Sequence, residues 1–272
     1  MYNYIDRSGW FFHLAFHPDQ IWTLSDLADI AYAKAPQFEP GDGWGYISTD
    51  YVLLGLVIEK VSGHNMAQLI TTRFIKPYHL TSTYYSDQAF TNAQLAKLVS
   101  GYYSWHNLTD INGSWIGPAG ALVSTPADLV KWDLALFNGK VLKKAQLQQM
   151  LQFVSVANGQ PLMDADNTGF GLGLFEVNTP AGLLYFAPGI TPGYRSGFSY
   201  MPCTGLAVSF AMGSSMMDQP EIMGDLLTQS YQTLIADPSV QRAVTHYQKT
   251  HALPAFCQRL PAASQFSFPV LQ

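Results

Sequence analysis

The chain has 272 residues, of which 48% are hydrophobic and 14% aromatic, so it has ample material for a buried core. Only 12% are charged, and the net charge of −5 is spread along the chain without a basic cluster. A nucleic-acid surface needs clustered Lys and Arg, so composition excludes nucleic acid as a partner. The longest apolar run, Tyr51–Ile58, is much shorter than the ~20 residues of a membrane-spanning helix. No transmembrane segment is therefore expected.

Helix signals dominate the first two-thirds of the chain. Thr23 and Asp26 have the spacing of a capping box ahead of an apolar-periodic segment. Residues 50–62 are apolar nearly all round, which predicts a helix buried on most sides, and Gly63 stands where a C-terminal cap is expected. Further helices are expected after Asn65, after Thr125-Pro126-Ala127-Asp128 up to Asn138-Gly139, and from about Lys143 to Leu151.

The hydrophobic period changes from 3.6 to 2 at about Gly169. Phe170, Leu172 and Leu174 alternate with glycines, which predicts a strand with one bare face. A second strand is expected over residues 182–186. A hairpin is expected over 196–201 and 206–212, and a helix over 220–235.

Helices followed by antiparallel strands and a terminal helix indicate an α+β fold. The predicted divisions are a mostly helical subdomain over residues 1–165, an antiparallel sheet with a C-terminal helix over 166–236, and an irregular tail over 237–272. The tail prediction rests on its prolines, Pro254, Pro261 and Pro269.

The chain has two cysteines, Cys203 and Cys257, and neither has the spacing of a metal ligand pair. One interpretation is a disulfide that ties the C-terminal tail to the turn at residues 202–205, which would imply an oxidising compartment. The other is two unrelated free thiols. The sequence leaves both open.

Other enzyme classes lack their motifs. His13 and His17 have helical metal-ligand spacing, but Leu14 occupies the position of the metalloprotease glutamate and no third ligand follows. Packing in an aromatic-rich segment is the preferred interpretation of this pair. The sequence has no nucleophile elbow of the Gly-x-Ser-x-Gly type and no phosphate-binding loop. Neither a metal nor another cofactor is expected.

Three segments in order resemble the β-lactamase-related serine hydrolases: class C β-lactamases, DD-peptidases and their esterase relatives. The segments are Pro40-Gly41-Asp42-Gly43-Trp44-Gly45-Tyr46-Ile47-Ser48 with the helix that follows, Gly117-Pro118-Ala119-Gly120 with Thr125-Pro126-Ala127-Asp128, and Gly189-Ile190-Thr191-Pro192-Gly193-Tyr194. The resemblance implies a β-lactamase/transpeptidase-like fold, in which a helical subdomain accompanies an antiparallel sheet flanked by helices. It also implies hydrolysis through an acyl-enzyme, with a β-lactam, a D-peptide or an ester as substrate.

The resemblance assigns two candidate catalytic residues at the first segment. Tyr46 matches the family tyrosine, whose phenol shares in proton transfer. Ser48 stands where the family usually has Asn, and a hydroxyl cannot present the donor and acceptor of an amide together. The alternative for Ser48 is a purely structural role as the cap of the next helix.

The resemblance places three candidate substrate-binding residues, Ala187, Gly189 and Ile190, on one strand. Ala187-Pro188-Gly189 replaces the family's Lys or His, small residue and Gly, so a charge or proton carrier is absent. The retained Gly189 allows close approach of an acyl group. The N–H of Ile190 matches one family oxyanion donor.

The nucleophile of the family is a serine three residues before a lysine, a spacing that puts both on one helix face. No serine in this chain has a lysine at that spacing. The family's Ser-x-x-Lys lies upstream of the segment that Met1-Tyr2-Asn3-Tyr4 resembles. The expectation is therefore an N-terminally truncated chain that lacks the first strands and the nucleophile helix and does not turn over substrate.

Two explanations of the absent nucleophile stay open: a fragment of an active hydrolase, or a non-catalytic pseudoenzyme or binding protein on the same fold. The expected partner is a small-molecule or peptidoglycan-like substrate. Residues 1–7 show no signal peptide, so a periplasmic or secreted location is expected only if the full-length protein carries one. An uncovered sheet edge and an exposed apolar side on the last helix are also expected.

Overall fold

The computed structural model describes residues 1–161, 168–179, 181–215 and 219–258. The chain forms two compact units. The N-terminal unit comprises Met1–Asp128, Gly189–Arg195 and Ala211–Ser215, and the C-terminal unit comprises the described residues of Leu129–Pro188, Ser196–Phe210 and the segment after Ser215.

The α-helices begin and end as follows: α1 Trp10–Phe16, α2 Leu24–Tyr32, α3 Ser48–Ser62, α4 Met66–Ile70, α5 Asn92–Leu95, α6 Pro126–Phe137, α7 Lys144–Met150, α8 Gln219–Ala236 and α9 Pro238–Thr250. A π-helical turn, Thr71–Ile75, continues α4. Short 3₁₀ turns occur at Tyr4–Asp6, Gly113–Trp115, Gly117–Ala119 and Ala255–Gln258. None of the helices in the described part of the chain is long and apolar enough to cross a membrane.

The strands are β1 Tyr84–Tyr85, β2 Tyr102–Tyr103, β3 His106–Asn107, β4 Leu122–Val123, β5 Val154–Ser155, β6 Thr168–Phe170, β7 Phe175–Thr179, β8 Gly182–Thr191, β9 Tyr194–Met201 and β10 Leu206–Met212. The last six form one sheet in the order β10-β9-β8-β7-β6-β5, and two small antiparallel pairs, β1-β4 and β2-β3, lie outside it. Each sheet neighbour is also a neighbour in sequence, as in an antiparallel meander. The α+β prediction is confirmed.

The core of the N-terminal unit forms around the fully buried Tyr4, whose hydroxyl donates to the carbonyl of Trp115 at 2.9 Å. The other buried members of this cluster are Trp10, Leu14, Leu27, Ala28, Ala31, Val52, Ile116 and Ala121. Helices α2 and α3 therefore bury their apolar faces against the first residues of the chain. This packing fixes the start of α3.

The predicted helix boundaries are largely confirmed. The capping box at α2 is present, with the Thr23 hydroxyl accepting from the Asp26 N–H and the Asp26 carboxylate accepting from the Thr23 N–H. Gly63 ends α3 in the left-handed conformation with φ of 70°. The Asn65 side chain caps α4 by accepting from the Gln68 N–H at 2.8 Å.

In the C-terminal unit, a disulfide joins Cys203 in the β9–β10 turn to Cys257, with Cα atoms 5.4 Å apart. Of the two interpretations of the cysteines, the structure has the disulfide. Helix α9 packs beside it, because Gln248 donates to the Cys203 carbonyl at 3.0 Å and the Tyr247 hydroxyl lies 2.8 Å from that of Tyr200.

Two predictions of secondary structure were wrong. Residues 169–174 are not one strand: β6 ends at Phe170, and a turn with Gly173 at φ of +86° leads into β7. A Cβ at Gly171 would collide with the Met150 carbonyl, so the glycines serve close packing rather than a bare strand face. The tail predicted to be irregular contains α9, because Asp237 caps it by accepting from the N–H groups of Ser239 and Val240.

The compact units also divide the chain differently from the predicted boundary at residue 165, since α6 from Leu129 onward belongs with the sheet. Strand β10 ends the strand order of the described sheet. On α8, Ile222 is 53% exposed and Leu226 42%, one helical turn apart. The exposed apolar side chains on α8 match the expected exposed helix side.

Candidate active site

The first candidate pair, Tyr46 and Ser48, lies where the chain enters α3. Ile47 has extended backbone angles and occupies the N-cap position without a side-chain hydrogen bond, and Ser48 is the first helical residue. The interpretation of Ser48 as the helix cap was therefore wrong. Ser48 is buried, and its N–H donates to Oδ1 of Asn3 at 3.2 Å.

Asn3 is a hydrogen-bond partner of the candidate residue Ser48 that sequence reasoning missed. It is buried, and besides accepting from Ser48 it donates from Nδ2 to Oδ1 of Asp6 at 3.2 Å. The neighbouring Thr49 hydroxyl donates to the Tyr2 carbonyl at 2.8 Å. These long-range bonds tie the start of α3 to the first turn of the chain. An Asn near the N-terminus gives no local signal of such a partner, because the contact spans 45 residues.

Burial governs the protonation of the tyrosines at this point. Burial raises the pKa of Tyr46 above its ordinary value. Burial, together with Tyr46 and Asp50, raises the pKa of Tyr51 to about 12. Both phenols are therefore neutral near pH 7 and act as hydrogen-bond groups. A phenolate base would need a nearby positive charge to lower its pKa.

The second candidate group lies on β8, whose pairing with β7 is defined residue by residue. Thr179 lies opposite Gly182 at the hairpin end, and Phe175 lies opposite Phe186 at the other end of β7. In a hairpin closed by such a pair, every second residue of β8 directs its N–H and C=O toward β7. Gly182, Leu184 and Phe186 are these residues.

Pro188 and Ile190 follow in the same alternation, but β7 has no residue opposite them. Pro188 therefore sits at a position where its missing N–H breaks no pairing with β7, which explains a proline inside a strand. The N–H of Ile190 points to the same open side, and the Ile190 side chain is 36% exposed. Within the described residues, positions 187–191 thus form a stretch of β8 without a partner strand on the β7 side, with one N–H donor, at Ile190, and two carbonyl acceptors. We refer to it as the β8 open edge.

The end of the β8–β9 hairpin is held by hydrogen bonds that sequence reasoning did not predict. The N–H of Gly193 donates to the hydroxyl of the buried Ser215 at 2.8 Å. The Tyr194 hydroxyl donates to the Val99 carbonyl at 2.8 Å. Arg195 donates to the carbonyls of Tyr194 and Ser215, each at 3.2 Å. These bonds fix the backbone just beyond Ile190.

Four of the five candidate residues, Tyr46, Ser48, Gly189 and Ile190, belong to the N-terminal unit, whereas Ala187 belongs to the C-terminal unit. His13 lies outside this group: its Nε2 is 2.8 Å from Oε1 of Gln20, and its ring stacks on Trp10. Within the described residues, no group of three His, Cys, Asp or Glu side chains is arranged to hold a metal ion.

The order of helices and sheet, the tyrosine before α3 and the glycine-bearing strand β8 together define a serine β-lactamase/transpeptidase-like protein. The chain belongs to the β-lactamase family, whose sequence model matches residues 7–222. Among curated proteins it is similar to penicillin-binding protein 4* of Bacillus subtilis (strain 168), with 27% identity over 207 residues. These residues are 70% of this chain and 44% of that protein.

Solved structures confirm the fold. The chain is similar to a D-stereospecific amidohydrolase from Streptomyces sp., with a TM-score of 0.69 and 26% identity over 79% of this chain and 64% of that one. It is also similar to a D-amino acid amidase from Ochrobactrum anthropi SV3, with a TM-score of 0.69 and 25% identity over 79% of this chain and 65% of that one. The chain thus spans under two thirds of each of these relatives.

Proposed function

We propose that this chain carries the substrate-binding part of an acyl-transfer site for small D-amino acid derivatives. The observation that carries the proposal is the β8 open edge. An unpaired strand edge beside a glycine can take up the backbone of an amide or peptide as an additional strand, with the main chain supplying the hydrogen bonds. Membership in the β-lactamase family supports the acyl-transfer chemistry.

Each candidate residue has a defined role in this proposal. The N–H of Ile190 donates to the carbonyl oxygen of the bound acyl group, the position at which negative charge develops during acyl transfer. Gly189 leaves room for the acyl group next to the strand. Tyr46, as a neutral phenol, donates a hydrogen bond to the leaving group. Ser48 offers a single hydroxyl for substrate orientation.

We do not expect these 272 residues to catalyse turnover of a substrate, because no serine has a lysine three positions later. Without the base, a serine hydroxyl is a poor nucleophile near pH 7. Loss of the serine nucleophile reduces turnover by about 10⁶-fold in a serine protease. Binding of substrate does not require the nucleophile, so binding is the activity that this chain should show.

The substrate class is proposed from the relatives. The two similar structures are a D-stereospecific amidohydrolase and a D-amino acid amidase, and a further structure of the amidase holds D-phenylalanine. We therefore place D-amino acid amides ahead of β-lactams and peptidoglycan-like peptides. The Cys203–Cys257 disulfide supports an oxidising compartment, the periplasm or the cell exterior.

The experiment is an NMR titration of the chain with D-phenylalanine amide, in which the amide signals of Ile190 and Tyr46 are followed. We expect saturable shifts at both residues and weaker shifts with L-phenylalanine amide. Ile190→Pro removes the N–H and should weaken binding about fivefold, since a net hydrogen bond contributes about 1 kcal/mol. Ile190→Val keeps the N–H and is the matched control. Equal affinity of the two variants would contradict the role of the β8 open edge.

A second candidate function, a non-catalytic binding protein, is favoured by Ala187, which has no charge or proton to offer a substrate. The two candidates differ once the chain is supplied with a Ser-x-x-Lys helix. Labelling of that extended protein by a fluorophosphonate or a fluorescent penicillin supports the hydrolase, and its absence supports the binding protein.

A further inference from the structure

A buried carboxyl group in the C-terminal unit has no role in the proposed site. Asp133 lies in the middle of α6 and is 0% exposed. Neither of its carboxylate oxygens has a hydrogen-bond partner within the described residues. Its neighbours on the helix, Ala135 and Leu136, are also buried.

Among the described residues, the titratable groups coupled to Asp133 are tyrosines. Asp133 is close enough to Tyr200 on β9 and Tyr231 on α8 to raise the pKa of both, in addition to the larger effect of burial. Both hydroxyls have other partners: that of Tyr231 donates to the Ser199 carbonyl at 2.9 Å, and that of Tyr200 lies 2.8 Å from the Tyr247 hydroxyl on α9. Tyr185 on β8 lies next in this cluster. Within the described part of the chain, no Lys, Arg or His forms an ion pair with Asp133.

An ionised carboxylate in such surroundings is unfavourable. Removing a charge from water without a partner costs several kcal/mol, so a buried carboxyl group takes up a proton instead. Burial accordingly raises the pKa of Asp133 well above its usual range. The tyrosine hydroxyls add no positive charge that would reverse this effect.

We propose that Asp133 is held as a neutral carboxylic acid in the folded protein and makes the packing of α6 on the sheet sensitive to pH. In the unfolded chain the carboxyl group ionises at its ordinary pKa, whereas in the fold it keeps its proton to higher pH. The stability that the protonated form contributes is therefore complete below the unfolded pKa. It is lost as pH rises toward the folded pKa.

The experiment compares urea unfolding of the wild-type chain and Asp133→Asn between pH 4 and pH 9. The Asn side chain has nearly the same shape as that of Asp, but its amide group does not titrate in this pH range. The ratio of the wild-type unfolding constant to that of the variant should rise by about tenfold per pH unit above the unfolded pKa, until the folded pKa is reached. Asp133→Leu repeats the comparison if the Asn variant does not fold. Parallel pH profiles of the wild-type chain and both variants would overturn the proposal.

Glu176 provides the control for specificity. It lies opposite Tyr185 in the β7–β8 pair, and burial raises its pKa to about 7. Glu176→Gln should remove the loss of stability that Glu176 causes between the ordinary pKa of a glutamate and about pH 7, and it should leave the Asp133 contribution unchanged. An infrared difference spectrum of wild type minus Asp133→Asn, recorded from pH 4 to pH 9, should show the carbonyl stretch of a protonated carboxyl group persisting above the ordinary pKa of an aspartate. A carboxylate band in its place would also overturn the proposal.

Discussion

At the scale of single residues, Gly193 determines how the β8–β9 hairpin ends. Its φ of +81° lies in the left-handed region, and a Cβ at this position would be 3.0 Å from the backbone carbon of Gly101. Gly101 in turn leaves room for the ring of Tyr194. Two glycines thus let the hairpin end approach the loop at residues 99–102, which positions the backbone next to Ile190.

We expect Gly193→Ala to destabilise the chain by about 2–3 kcal/mol, because it combines left-handed strain with a backbone collision. The matched control is Gly63→Ala, where φ is +70° but nothing lies within 4 Å of the added Cβ. Gly63→Ala should lower the free energy of unfolding by about 1 kcal/mol, because it introduces only the strain of the left-handed backbone conformation. Urea unfolding of both variants measures the difference. Equal costs would show that the close approach to Gly101 has no energetic consequence.

Residue-level prediction from sequence succeeded where the determinant is local. The capping residues Thr23 and Asn65 and the terminator Gly63 act within one helical turn, so their spacing was sufficient. The hydrogen bond between Ser48 and Asn3 and the burial of Asp133 could not be predicted, because neither determinant is local. The partner of Ser48 is 45 residues away, and the burial of Asp133 arises from a sheet that local periodicity does not position.

At the scale of elements, α9 is held to the sheet by three contacts around one turn. The disulfide joins Cys203 to Cys257, Gln248 bonds to the Cys203 carbonyl, and a Cβ on Gly205 would collide with the Tyr247 ring. The sequence did contain a start signal for this helix, Asp237 followed by Pro238, but the downstream prolines outweighed it in the prediction. The pairing of the cysteines could not be derived, because 54 residues separate them.

We expect the double variant Cys203→Ser/Cys257→Ser to lose about 4 kcal/mol of stability, since the crosslink closes a long loop in the unfolded chain. Hydrogen exchange in α9 should accelerate more than exchange in α3. Reduction of the wild-type chain with dithiothreitol provides the control and should reproduce both effects. Unchanged exchange in α9 after reduction would mean that the non-covalent contacts of Tyr247 and Gln248 are sufficient to hold this helix.

At the scale of the whole molecule, family and fold were predicted correctly because three motifs in order carry them. The compact units differ from the predicted division of the chain. The end of the β8–β9 hairpin, Gly189–Arg195, and the end of β10, Ala211–Ser215, group with Met1–Asp128, although about sixty or more residues separate them in sequence. Such a grouping of distant segments depends on tertiary contacts, which the hydrophobic pattern of the sequence does not reveal. The same grouping places Tyr46, Ser48, Gly189 and Ile190 in one unit.

We expect Tyr46, Ser48, Gly189 and Ile190 to form a binding site to which no residue of this chain supplies the attacking group. Intact-mass spectrometry after incubation with a fluorescent penicillin and, separately, a fluorophosphonate tests it most directly. The predicted result is an unchanged mass with both reagents. A stoichiometric adduct on any serine of the folded chain, lost on unfolding, would contradict the account.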